Sequence, residues 1–144
     1  MAKLTLIHFY FQNVSINLGE RTRLKTFIGK LFRKEGKKLK RLNYIFCTDN
    51  ELLRINQEFL GHDFFTDIIT FDLSETPNEK EAEVYISVER VRENSAAFGS
   101  SIKRELARVI FHGALHICGY KDHTPKEKEK MRRKEDTYLN SYFK

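Results

Sequence analysis

From Ile102 to Cys118 the chain carries Ile102, Leu106, Val109, Ile110, Gly113 and Ile117 at helical spacing. At about 100° per residue they form one stripe of a helix. His112 and His116 lie just off its edge, as does Glu105 two turns before His112. The pattern predicts a buried helix whose histidines border a cleft. Histidines four apart on a helix point the same way, so both imidazoles reach one metal ion without backbone distortion. Gly119 is placed to end the helix and turn the chain back. The turn then delivers a third donor, His123 or Asp122, to the same point. Three protein ligands with an open position are the layout of a catalytic zinc site rather than a structural one. Imidazole donors favour zinc, though nickel or another divalent ion also suits such a set. The metalloprotease pattern H-E-x-x-H puts a glutamate beside the first histidine. Here that position is Gly113, which argues against ordinary peptidase chemistry.

The rest of the chain predicts a fold around this helix. Leu4–Tyr10 and Asn43–Thr48 read as strands, separated by a helix over Glu20–Phe32 and a lysine-rich loop after Gly36. Asp49 is the expected N-cap of a helix over Asn50–Phe59, broken by Gly61. Thr66–Leu73 and Glu83–Val88 read as a hairpin across the turn Ser74–Glu81. Glu89–Phe98 is helical, ended by Gly99, and Ser100 or Ser101 caps the next helix. Thr124-Pro125 opens the last one. This order argues for an α+β fold, a small mixed four-stranded sheet covered by about five helices. The 144 residues are expected to form one domain with a core rich in the twelve phenylalanines.

Bulk properties narrow the class. There is no run of about eighteen apolar residues, so no membrane span is expected. The first ten residues lack a signal peptide's long apolar core. The two cysteines, Cys47 and Cys118, make no disulfide framework, so a reduced, cytoplasmic protein is the simpler reading. Net charge is +6, unevenly spread. Glu20–Arg41 holds ten Lys/Arg and two acids, and Asp49–Glu83 holds ten acids and two basic residues. Such asymmetry suggests a face that attracts a polyanion, the alternative being a solvated basic helix. Lys126–Lys134, interleaved with Glu127 and Glu129, reads as an exposed helix with i,i+4 pairs.

The stretch His112-Gly113-Ala114-Leu115-His116-Ile117-Cys118-Gly119-Tyr120, followed by Lys121-Asp122-His123, resembles the motif H-G-x-L-H-x-x-G-Y-D-H of the YbeY family of bacterial endoribonucleases. Asp63-Phe64-Phe65-Thr66-Asp67-Ile68-Ile69-Thr70-Phe71 is similar to that family's D-x-x-T-D-V-L-S-F segment. Ala82-Glu83-Val84-Tyr85-Ile86-Ser87 is similar to its G-D-I-x-I-S strand, and Glu105-Leu106 also fits. The resemblance covers roughly residues 45–125. It implies a zincin-like fold and a zinc-dependent, single-strand-directed endoribonuclease that matures the 3′ end of small-subunit (16S) ribosomal RNA and takes part in ribosome quality control. It also implies a cytoplasmic location, with ribosomal RNA, the small ribosomal subunit and ribosomal or GTPase assembly proteins as partners.

Three positions depart from the family pattern. Lys121 is an extra residue, so His123 stands eleven residues after His112 rather than ten, and the tenth position is Asp122. His123 is the preferred third ligand, because a turn can absorb one residue, with Asp122 as the alternative. Leu60 stands where the family commonly has an arginine, leaving Arg54 or the Glu20–Arg41 cluster to hold phosphate. Ala82-Glu83 replaces Gly-Asp, and Glu83 is the candidate general base or outer carboxylate. Asp67 is expected to be structural, and Glu105 a packing partner or a support for a ligand. Two other readings stand beside the nuclease: a non-enzymatic ribosome assembly factor with a structural zinc, and a metal-dependent hydrolase of another substrate.

Overall fold

The computed structural model describes residues 6–144, and the expected strand residues Leu4 and Thr5 lie outside that range. The elements run β1 (Ile7–Phe11), α1 (Arg21–Lys34), β2 (Lys38–Cys47), α2 (Asp49–Leu60), β3 (Ile68–Asp72), β4 (Glu79–Ser87), α3 (Val88–Phe98), α4 (Ile102–Ile117) and α5 (Pro125–Tyr142). Hydroxyl caps start four of the helices. Thr48, Ser87, Ser101 and Thr124 each accept the backbone N–H three residues on. The cap of α2 is therefore Thr48, not Asp49, whose carboxylate instead pairs with Arg90 at 2.8 Å. Gly61 and Gly99 end α2 and α3 with φ of 66° and 67°, a region that glycine enters without steric cost.

The sheet order is β1-β2-β4-β3. β1, β2 and β4 run parallel, and β3 joins β4 as the antiparallel partner of the expected hairpin. This is the mixed four-stranded α+β arrangement that the element order predicts. Both β2 and β4 begin earlier than their sequences suggest. Lysine and glutamate are poor strand formers, so Lys38–Arg41 reads as loop when taken alone. The register sets Lys38 beside Glu79 and Arg41 beside Glu81, with ion pairs of 3.7 Å and 2.7 Å. Opposite charges across a ladder support the pairing. Lys40 also reaches Glu81, so part of the basic segment is neutralised by part of the acidic one.

On one face of the sheet, Tyr44, Phe46, Val84 and Ile86 pack with α1, α4 and α5 in the main core. The Tyr44 hydroxyl donates to the Ile110 carbonyl at 2.9 Å and so ties β2 to α4. Gly113 lets α4 lie close to the sheet, since a Cβ there would stand 3.0 Å from both Ile68 Cδ1 and Val84 Cγ1. The other face carries a small cluster of Cys47, Leu52, Ile55 and Ile69 under α2. Both cysteines are free and buried, and burial pushes each thiol up to about 12. Among the described residues, no helix is long and apolar enough to cross a membrane.

Candidate metal centre

His112 and His116 stand one turn apart on α4, their ring centroids 4.6 Å apart. Gly119, with φ of 111°, turns the chain after the helix, and the Tyr120 N–H closes back onto the Leu115 carbonyl. The turn carries Asp122 Oδ2 to 3.7 Å from His112 Nε2. One ligand atom from each of His112, His116 and Asp122 lies within 4.8 Å of the others. His123 does not belong to this group. It is exposed, and its backbone N–H donates to Glu127 Oε1 at 3.1 Å. Glu127 completes a capping box with Thr124, which holds His123 just ahead of α5. The turn absorbs Lys121 by bringing the aspartate, not the histidine, to the tenth position. The preferred third donor therefore changes from His123 to Asp122.

Each histidine is oriented through its second nitrogen. His112 Nδ1 lies 2.5 Å from Glu135 Oε2, and His116 Nδ1 lies 2.9 Å from the Tyr120 carbonyl. A carbonyl or carboxylate at Nδ1 fixes the tautomer and leaves Nε2 as the ligand atom. Glu135 is buried, and its other oxygen accepts from Arg108 Nη1 at 2.8 Å. Burial opposes charge on His112, but Glu135, Asp122 and Asp67 outweigh it and raise its pKa. Burial and the neighbouring His112 lower that of His116. The Tyr120 hydroxyl donates to Glu35 Oε1 at 2.7 Å, and Tyr138 and Lys134 donate to Oε2 of the same carboxylate. The turn that presents Asp122 is thus tied to the end of α1 and to the middle and later turns of α5.

A cleft of about 570 Å³ opens beside His112 and Asp122. Asp67 and Glu105 line it, and burial raises the pKa of both carboxyls. Glu83 does not. It alternates with Ala82 and Val84, which face α4, and it meets the Tyr85 hydroxyl at 3.4 Å on the opposite face. The period of two along β4 removes Glu83 from the metal side, which corrects its expected catalytic role. Arg54 cannot stand in for the missing arginine either, because Glu51 and Glu58 each hold it at 2.6 Å.

Other cations, missed in the sequence, line the cleft: Arg104, Arg108, Lys128 and Arg132. The first two continue the i,i+4 row of His112 and His116, which was a readable signal. The expected i,i+4 pairs along Lys126–Lys134 are not formed among the described residues. Glu127 serves the cap, and Lys134 bonds Glu35.

A family model described as endoribonuclease YbeY matches residues 10–143. The chain belongs to the YbeY family. The endoribonuclease YbeY of Cytophaga hutchinsonii is 46% identical over 134 residues, spanning 93% of this chain and 94% of that one. The endoribonuclease YbeY of Flavobacterium psychrophilum is 42% identical over 137 residues, spanning 95% and 96%. The solution structure of TM1509 from Thermotoga maritima superposes with a TM-score of 0.68 at 29% identity, covering 95% of this chain and 89% of that one. Two imidazole nitrogens and one carboxylate oxygen, converging beside a cleft, are a donor set that fits a borderline divalent ion.

Proposed function

We propose that this chain is a zinc-dependent, single-strand-directed endoribonuclease that matures the 3′ end of small-subunit ribosomal RNA and serves ribosome quality control in the cytoplasm. Membership of a family whose named relatives are endoribonucleases supports hydrolysis of RNA phosphodiester bonds. The observation that carries the metal dependence is the convergence of His112, His116 and Asp122 with both Nδ1 atoms already engaged. Ribosomal RNA within the small subunit is the substrate, and ribosomal or GTPase assembly proteins are the partners that would bring the two together.

Held by His112, His116 and Asp122, a divalent ion would supply Lewis acidity at the mouth of the cleft. The chain's own residues do the rest. Glu135 and the Tyr120 carbonyl hold the imidazoles in one tautomer, so no reorientation is needed when charge develops on the phosphate. Asp67 and Glu105 face the cleft, and burial favours the protonated form of each, which suits a carboxyl that gives or takes a proton there. Arg108, clamped between Glu135 and Asp136, keeps the Glu135 carboxylate in place.

The test is cleavage of a structured ribosomal RNA precursor by metal-quantified protein, beside His112→Ala, His116→Ala, Asp122→Ala and His123→Ala. The first three should lose both metal and cleavage, and His123→Ala should keep both. If metal-loaded wild type cuts no better than these variants, on free RNA and on ribosomal particles alike, the assembly-factor reading replaces the nuclease.

A further inference from the structure

Four cations line the cleft, but two are committed elsewhere. Arg108 is paired with Glu135 and Asp136. Arg104 donates to Asn140 at 3.1 Å and lies over the Phe143 ring. Lys128 and Arg132 are exposed, and among the described residues neither forms an ion pair or a side-chain hydrogen bond. They are one turn apart on α5, on the same side of the helix. Arg132 is also within one turn of Glu135, the residue that holds His112. Their charge therefore stands close to the metal ligands and is free to meet an anion.

The opposite lip of the cleft is aromatic. Phe98, the last residue of α3, is 68% exposed yet lines the cleft. Asn94, one turn earlier on α3, lines it too, and Arg90, a further turn back, sits over the Phe65 ring at 5.4 Å. Ser100 Oγ, beside Phe98 in the chain, also belongs to the lining residues and has no hydrogen-bond partner. A solvent-facing ring across from two unpaired cations is the pairing that single-stranded nucleic acid calls for: stacking for a base and charge for its backbone.

We propose that Lys128 and Arg132 hold backbone phosphate at the cleft while Phe98 stacks on an adjacent unpaired base. These residues then do the work that the absent arginine at Leu60 leaves undone. The inference rests on the endoribonuclease reading and assigns that site its strand-positioning residues.

The test is fluorescence anisotropy of a short labelled 2′-O-methyl RNA of unpaired sequence, which resists cleavage, with the full metal-quantified chain. Lys128→Ala/Arg132→Ala should weaken binding roughly tenfold and flatten the salt dependence by about 0.7 in log–log slope per lost phosphate contact. Phe98→Ala should weaken binding roughly tenfold with the slope unchanged. An abasic residue at the stacked position should cost wild type as much as Phe98→Ala does and cost that variant nothing further. Lys126→Ala/Arg133→Ala, on the far side of α5, removes the same charge and should bind like wild type. An equal loss in that control would assign the attraction to diffuse charge and overturn the proposal. Wild-type affinity in the Phe98 and Lys128/Arg132 variants, from a protein that still cuts RNA, would overturn it while leaving the nuclease reading intact. Failure of wild type both to bind and to cut would remove the two together.

Discussion

The two faces of the sheet are covered very unequally, and the metal centre stands on the better-covered one. On that face Phe46, Val84, Ile86, Phe111 and Leu115 are fully buried between the strands and the helices. On the other, α2 covers a cluster of four buried residues, while His8 Nδ1 and Asn43 Oδ1 stay without hydrogen-bond partners. The register runs His8, Asn43 and Glu83 in a row across that thin face. Ligands that must converge on one point need rotamers locked by packing, and only the thick face supplies that. A carboxylate on the thin face, such as Glu83, has the right chemistry in the wrong place.

This contrast can be broken by cavity mutants first. Leu115→Ala should cost toward the upper end of about 2–5 kcal/mol and Leu52→Ala toward the lower end, because the small cluster can collapse around its gap. Denaturant unfolding of both reads the difference, and equal costs would mean that the faces are equally rigid. A smaller effect compares two carboxylates. Glu135→Gln should weaken metal binding about 10–100-fold in competition with a chromophoric chelator. Glu83→Gln should leave it unchanged, and a comparable loss there would return Glu83 to the site.

The smallest effect sharpens the picture of how the thick face is tied to the ligand turn. Burial opposes the charge on Glu35, but its bonds from Tyr120, Tyr138 and Lys134 prevail and lower its pKa. Glu35→Gln should cost about 1–2 kcal/mol at neutral pH. A lowered folded-state pKa contributes stability that is complete above the ordinary carboxylate range and is lost as pH falls through the folded value. Melting curves of wild type and variant should therefore converge at the acid end. A gap that persists there would place the stabilisation in packing rather than in charge.

Much of this was legible in the sequence because it is local. The α4 stripe, the glycine turn, the Thr124-Pro125 start of α5 and the β3–β4 hairpin each depend on residues a few positions apart. What was missed depends on distant partners. Lys38–Arg41 becomes strand only because Glu79 and Glu81 lie opposite. Those pairs neutralise Lys38, Lys40 and Arg41, the strand end of the basic segment. The spacing left Asp122 and His123 both open, and in the fold it is Asp122 that stands with the two imidazoles. Glu135, separated from His112 by 23 residues, carries no spacing signal at all.

That separation bears on how the protein is made. The ligands on α4 emerge from the ribosome before α5 does, so a growing chain holds His112 without the carboxylate that orients it. The geometry of the donor set is therefore complete only once α5 docks against α4, after both histidines already stand on their helix. Full-length chain should accordingly take up metal far more tightly than ribosome-bound chains halted before Glu135.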